Sequence, residues 1–375
     1  MQKITFTLIV LLTSFLAKAQ VSIPDAAFET ALISFNMDTD GVVNGQISTA
    51  DALAITNLSL INQTGITDIT GVNGMTNLTY FSCYELGLSN FTFVLPNLET
   101  LSAERNNFTS IDLSGMPNLT TLYIDHNTAI STLDLSVTPL LVDLNARGCN
   151  ISSITTHPNF IYHNVRLSGN AFTGNMDFTN WTNLNILTMS NNTLNSIDVT
   201  GLTNLTFLAV DSCSLNDLDL TTNTNLSSLT AINNNLTCLD LSQNPLLEGI
   251  EVNSNDPNLV IVVANVTDAD AGNGIYQWWY KDATATFNTS CTALVNETLF
   301  NSNFDVYPNP AKDIIYINSE LALNFTLFNI TGKSILKGTI QNGNNTIPVA
   351  KLHAGIYFLK IANKQNNFTK KIIIK

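Results

Sequence analysis

Between about residues 55 and 257, apolar and polar positions return in a fixed order. The stretch NLTFLAVDSCSLNDLDLTTNT, from Asn204, is followed at Asn225 by NLSSLTAINNNLTCLDLSQNP. One reference position recurs at Gln63, Leu86, Asn106, Asn127, Cys149, Asn170, Asn192, Cys213, Asn234 and Asn255, at steps of 20 to 23 residues. Three, five and eight residues before Asn192 stand Met189, Leu187 and Leu184, and two after it stands Leu194; Val210, Leu208, Leu205 and Leu215 frame Cys213 in the same way. The alternation ahead of each reference position predicts one short strand per turn. A turn of this size cannot bury its apolar side alone, so ten in succession predict a stack sharing one continuous core, with each buried Leu contributing about 1.5–3 kcal/mol.

The reference column is mostly Asn, which suits a buried position that must bond backbone groups left open by the turn, since an unbonded one costs about 1–3 kcal/mol. Cys149 and Cys213 occupy that column and Cys83 an apolar one, so all three are expected as buried structural thiols. A second alternation follows, as Ile111-Asp112-Leu113, Leu133-Asp134-Leu135, Ile197-Asp198-Val199, Leu218-Asp219-Leu220 and Leu239-Asp240-Leu241. It predicts an extended second side with a ridge of aspartates, bonded to solvent or to the hydroxyls of Ser114, Ser136, Thr200, Thr221 and Ser242. A ridge offers no cleft that excludes water, which argues against carboxylate catalysis there.

These columns spell L-x-x-L-x-L-x-x-N/C-x-L, and the chain from 55 to 257 resembles the leucine-rich repeat family. The resemblance implies a solenoid with capped ends. Residues 20–54 form an N-terminal cap with a short helix carrying Phe28, Leu32 and Phe35 on one face. Residues 258–303 form a C-terminal cap and linker, in which Trp278, Trp279, Tyr280 and Phe287 are expected to cover the last layer. Repeat proteins of this kind often close with a cysteine, which implies a bridge from Cys291 to Cys238; spacing alone does not set the pairing.

In the N-terminal cap, Asn36, Asp38, Asp40, Gly41 and Asn44 follow the first nine positions of an EF-hand or dockerin calcium loop, with oxygens at 1, 3, 5 and 9 and glycine at 6. The twelfth position is Ile47 rather than an acid, so a capping turn without metal is the competing reading, and no other cofactor is expected.

Residues 304–375 show short alternating runs broken by Gly, Asn and Pro, the pattern of a small β-sandwich. Tyr307-Pro308-Asn309-Pro310, Gly332, Gly355 and Tyr357, with a lysine-rich final strand, resemble the C-terminal sorting domain of the type IX secretion system found in Bacteroidetes. That resemblance implies passage through the outer membrane and contact with the secretion machinery. Residues 1–19 read as a signal peptide: one early Lys, an apolar run, then Ala17-Lys18-Ala19 before a mature start at Gln20. No later stretch is apolar over about 20 residues, the length a membrane span needs.

Charge sharpens the boundary. Residues 20–303 hold 26 Asp and Glu against Arg105, Arg147, Arg166 and Lys281, a net of −22, whereas 304–375 hold nine Lys against three acids, a net of +6. So acidic a body would repel nucleic acid. Hydrolase, phosphate-loop and dinucleotide signatures are lacking.

The chain is therefore expected to be a non-catalytic exported protein, secreted or attached at the outer-membrane surface, that binds a protein or glycan through its repeat face. The alternatives are an envelope spacer and a glycan-active enzyme of unfamiliar design. On the first strands, outward positions lie six, four and two before the reference residue. The early turns place there Tyr80, Tyr84, Glu104, Tyr123, Asp125, Arg147 and Arg166, residue types that include those favoured at binding hot spots. Strand propensity accounts equally for the tyrosines, and pairing with Asp143 for the arginines.

Overall fold

The computed structural model describes residues 20–91, 93–291, 304–319, 322–330, 333–362 and 367–375. The leader expected at 1–19, the stretch 292–303 and Gly332 lie outside the described residues. Two compact units divide after Cys291.

The first unit is a solenoid. Its inner side is a parallel sheet of eleven strands running in chain order from Asn57–Ser59 and Tyr80–Ser82 to Gly249–Glu251 and Trp278–Tyr280. Ten strands come from the repeats, and the eleventh is donated by the C-terminal cap. Register is exact from turn to turn: Phe81, Leu101, Leu122 and Leu144 fall opposite one another, and all four are buried. The residue before each reference position has positive φ in all ten turns: Asn62, Glu85, Arg105, His126, Gly148, Gly169, Asn191, Ser212, Asn233 and Ser254. This left-handed residue ends each strand and turns the chain. A Cβ on Gly148 would lie 2.6 Å from the His126 ring, so glycine there is also a packing requirement.

The reference column behaves as its chemistry demands. Asn106 Nδ2 donates to the carbonyls of Cys83, Ala103 and Glu104, while its Oδ1 accepts from Leu88 N–H. Asn127, Asn192 and Asn234 repeat the arrangement. Cys149 and Cys213 substitute a weaker S–H donor, to Ile124 O at 3.3 Å and Met189 O at 3.2 Å. Burial pushes both thiols up to about 11, and Cys83 is raised further by full burial. A second, exposed Asn ladder was not anticipated. Asn77, Asn118, Asn204 and Asn225 of the recurring NLT and NLS triplets each donate to a carbonyl about one turn back. Thr79, Thr120, Thr206 and Ser227 do the same with their hydroxyls.

The outer side is extended only in part. Seven short strands pair in three small parallel sheets: Thr132–Leu135 with Ser153–Thr156, Thr173–Asp177 with Thr193–Asp198, and Cys238–Asp240 with Val260–Val262 and Thr286–Asn288. No strand forms at Asp112 or Asp219. The aspartate ridge serves local turns, in strands and outside them alike: Asp112, Asp134, Asp198, Asp219 and Asp240 each accept the N–H of the residue two ahead, closing an Asx turn.

Both ends are capped. Helix α1 (Ala26–Ser34) is N-capped by Asp25 and buries Phe28 and Leu32, with Phe35 packed beside them; helix α2 (Thr49–Ala54) is N-capped by Ser48. At the far end, Trp279 packs with Tyr276 and Phe287 and donates to Leu247 O. Trp278 and Tyr280, expected in the same cover, are instead 58% and 53% exposed. The reason is strand alternation: their neighbour Trp279 points inward. Cys238 is bonded to Cys291.

The second unit packs a three-stranded antiparallel sheet and a four-stranded one around Ile315, Ile317, Leu327, Ile347, Leu359 and Ile372, a β-sandwich. Asn309 fixes the final strand Asn367–Ile374, accepting from Ile373 N–H at 2.9 Å and donating to Lys371 O at 2.7 Å. Tyr307 stacks on Tyr316. Tyr357 is buried and donates to His353 O, and Gly355 opens its strand. Pro308 and Pro310 both follow cis peptide bonds.

Candidate functional site

Strand pairing aligns the outward positions of the inner sheet into rows. One row reads Tyr80, Thr100, Thr121, Asp143, Asn164, Ile186, Phe207, Ser228, Gly249 and Trp278, and the next reads Ser82, Ser102, Tyr123, Asn145, Arg166, Thr188, Ala209, Thr230, Glu251 and Tyr280. The early residues named from sequence all lie on this one face, but they do not form one patch of like chemistry.

Tyr80 and Tyr84 are half-buried on the first turns. Ser82, Ser102 and Glu104 form a chain: Ser102 donates to Glu104 at 2.6 Å, which leaves Ser82 to donate to Ser102 at 3.1 Å. Burial raises the Glu104 carboxyl above the usual range, the Ser102 bond opposes this, and nearby Asp125 adds to it. Burial likewise raises Asp125, against the Arg147 backbone N–H and guanidinium. Asp125 is 8% exposed and accepts from Asn145 Nδ2 at 2.6 Å and Arg147 N–H at 2.9 Å. Raised carboxyls can mark a catalytic site; these two are explained by their packing into the ladder.

Arg147 and Arg166 each face a carboxylate about one turn earlier. Arg147 lies 3.8 Å from Asp125, and Arg166 lies 3.2 Å from Asp143. Arg147 Nε also donates to Asn145 Oδ1. Tyr123 is half-buried, its hydroxyl raised by burial and by Asp143.

The face deepens just past these pairs. A depression of about 510 Å³ is lined by Arg147 and Arg166, by Asp211 and Thr230, and by the apolar side chains of Ile186 and Phe207. Asp211 is held rigid by Ser190, Thr230 and Ile232 N–H. The residues singled out from sequence lie on the early turns and leave out Ile186 and Phe207, although both stand six before a reference position. A slightly larger hollow, about 540 Å³, lies among residues 67–73, 88–90 and Phe93 but offers no arginine and no exposed aromatic ring.

In the N-terminal loop, Asn36 takes a left-handed conformation. Asp40 accepts from Val42 N–H and from Asn44 Nδ2, both at 2.8 Å. Asp38 is 3% exposed and neither of its carboxylate oxygens has a hydrogen-bond partner. Burial raises its carboxyl, as do Asp40, Glu29 and Asp51; the Asp40 backbone N–H, outside bonding geometry, opposes them. Among the described residues, no three of His, Cys, Asp or Glu converge as a ready metal cluster.

Comparison with known proteins agrees with this architecture. Residues 305–375 match the secretion system C-terminal sorting domain family, and residues 96–137 match leucine-rich repeats in two copies. No curated protein matches the chain. Among solved structures, the functional domain of InlJ from Listeria monocytogenes, described as including a cysteine ladder, is similar at 18% identity and a TM-score of 0.52, covering 96% of this chain and 99% of that one. At that identity the likeness speaks for the fold. Repeats and sorting domain together mark an exported leucine-rich repeat protein. No helix among the described residues is long and apolar enough to cross a membrane.

Proposed function

We propose that this leucine-rich repeat protein with a type IX sorting domain is a non-catalytic binder, displayed at the outer-membrane surface or released, that captures a protein ligand on its inner face. The observation that carries the reading is the depression of about 510 Å³ where Ile186 and Phe207 lie beside Arg147 and Arg166. Anchoring pockets in protein interfaces combine apolar rings and arginine in this way. The surrounding sheet is rigid and already hydrogen-bonded, so a partner docks without ordering loops, which lowers the cost of binding.

The ion pairs do not argue against this. Arg147 is about half exposed, and a pair in water contributes only about 0–1 kcal/mol, so its guanidinium is free to exchange partners. The carboxylates give the same face alternating charge, which favours a polar peptide surface and register-specific docking.

The experiment is a screen of the mature chain from Gln20 against extracellular proteins and, in parallel, against glycan arrays. The reading expects a protein hit whose affinity falls by more than about 1 kcal/mol with Phe207→Ala. A glycan hit blind to Phe207 and Arg166, or binding lost only on changing outer-side Asp198 and Asp219, would overturn it.

A further inference from the structure

The N-terminal cap contains a buried acid that nothing else in the fold neutralises. Asp38 is 3% exposed, and both of its oxygens lack a hydrogen-bond partner. Three other acids stand near it, and each is committed. Glu29, fully buried, accepts the N–H groups of Asn44, Gly45 and Gln46. Asp40 closes its own turn through Val42 and Asn44. Asp51, in the first turn of α2, accepts from Thr39 Oγ1 at 2.9 Å.

No cation of the chain offsets these acids locally, because there is no Lys, Arg or His between Gln20 and Glu104. Both ion pairs seen among the described residues lie elsewhere, at Arg147 and Arg166. A buried carboxylate without partners is unfavourable in either form: ionised it lacks a counter-charge, and protonated it has an O–H with no acceptor. A bound cation removes both penalties.

We infer that Asp38 is the principal ligand of a calcium ion held in the loop 36–51, with Asp51 as the second carboxylate and water completing the shell. The donors are all oxygen, with no His or Cys in the segment, which selects a hard cation. Calcium tolerates irregular, part-hydrated coordination, whereas magnesium requires a near-ideal octahedron. Carboxylate oxygens already accepting one hydrogen bond retain lone pairs for a metal. A hollow of about 260 Å³ lined by Asn36, Thr39, Asp51 and Asn57 lies on the Asp51 side of the loop. Ile47 at the twelfth position is no obstacle, because the acid it fails to supply comes four residues later from α2, as Asp51.

The test uses the whole mature chain, melted in chelator and then in millimolar CaCl2 or MgCl2, with isothermal titration for stoichiometry. A rise of about 2–4 °C is expected at tenfold excess over the dissociation constant, with one calcium per chain and a smaller response to magnesium. Asp38→Asn, which keeps the side-chain shape, should remove the increment, and Asp51→Asn should shift it to higher calcium. The second variant decides the matter if the first fails to fold. Identical melting curves in chelator and calcium, or a full increment retained by Asp38→Asn, would overturn the assignment.

Discussion

Arg166 reaches back across one turn of the solenoid and sets its guanidinium 3.2 Å from the Asp143 carboxylate. Arg166 also lines the depression, and both side chains of the pair are partly in water. Its role in stability is therefore small, about 0–1 kcal/mol. Arg166→Ala should leave the melting temperature nearly unchanged while weakening the ligand found in the screen by more than about 1 kcal/mol. Measuring both on one variant separates the two roles: a large loss of stability with unchanged affinity would make Arg166 a structural strut.

The ladder asparagines should behave in the opposite way. Asn234 accepts from Cys213 N–H and Leu215 N–H and donates to Val210 O and Ala231 O, all buried. Alanine there would orphan several backbone groups, at about 1–3 kcal/mol for each left unbonded. Denaturant melts of Asn234→Ala should show a loss above about 2 kcal/mol. Cys213→Ser, which retains a donor, should cost less than this, and a loss as large as that of Asn234→Ala would contradict the ladder account.

The solenoid was legible because its core columns obey one spacing. Each inner strand falls six to four residues before a reference position, as at Thr100–Ser102 before Asn106. What escaped lies where the rule is silent. The left-handed residue of every turn is Gly only at 148 and 169; Glu85, Arg105 and His126 adopt the same φ under pressure of the stack, so side-chain identity gives no warning. Trp278–Tyr280 pairs with Gly249–Glu251 across an insertion longer than any repeat, so the register that exposes Trp278 had no preceding pattern. Asp51 was hidden by spacing: a fixed twelve-residue template lands on Ile47 and stops short of the acid that α2 brings back to Thr39. Ile186 and Phe207 were legible in principle, since they occupy the outward position that Tyr80 also fills.

Acid should loosen the N-terminal cap at a defined pH. Burial lifts the Asp25 carboxyl, but the N–H groups of Thr67, Phe28 and Asp68 and the Thr67 hydroxyl outweigh it and hold the group at about 2, below its ordinary 3.8. A lowered folded-state value means the stabilisation is present above the unfolded value and is lost as pH falls through about 4 towards 2. Asp25→Ala removes the cap of α1 as well, at about 0.5–2 kcal/mol. Its melting temperature should lie below that of the parent at pH 7, and the two should converge near pH 2. A gap that persists undiminished at pH 2 would show that the carboxylate charge is not what holds α1 to the 67–68 loop.

The sorting domain should be removable without harm to the solenoid and indispensable for its address. The two units have separate apolar cores, with no residue shared between them, and the net charge changes from −22 to +6 at the boundary. Deleting residues 304–375 should therefore leave the repeat unit melting as in the full chain, while the protein accumulates in the periplasm instead of reaching the surface or medium. A single change can probe the same point, because the Asn309 side chain ties the turn at Pro308 and Pro310 to the last strand through Lys371 O and Ile373 N–H, beside the backbone bonds of Ala311. Asn309→Ala frees one edge of the sandwich while sparing the solenoid, so fractionated cells should show less exported protein with unchanged total synthesis. If the truncated chain still reaches the surface at the level of the parent, residues 304–375 are an appended β-sandwich and the export signal lies elsewhere.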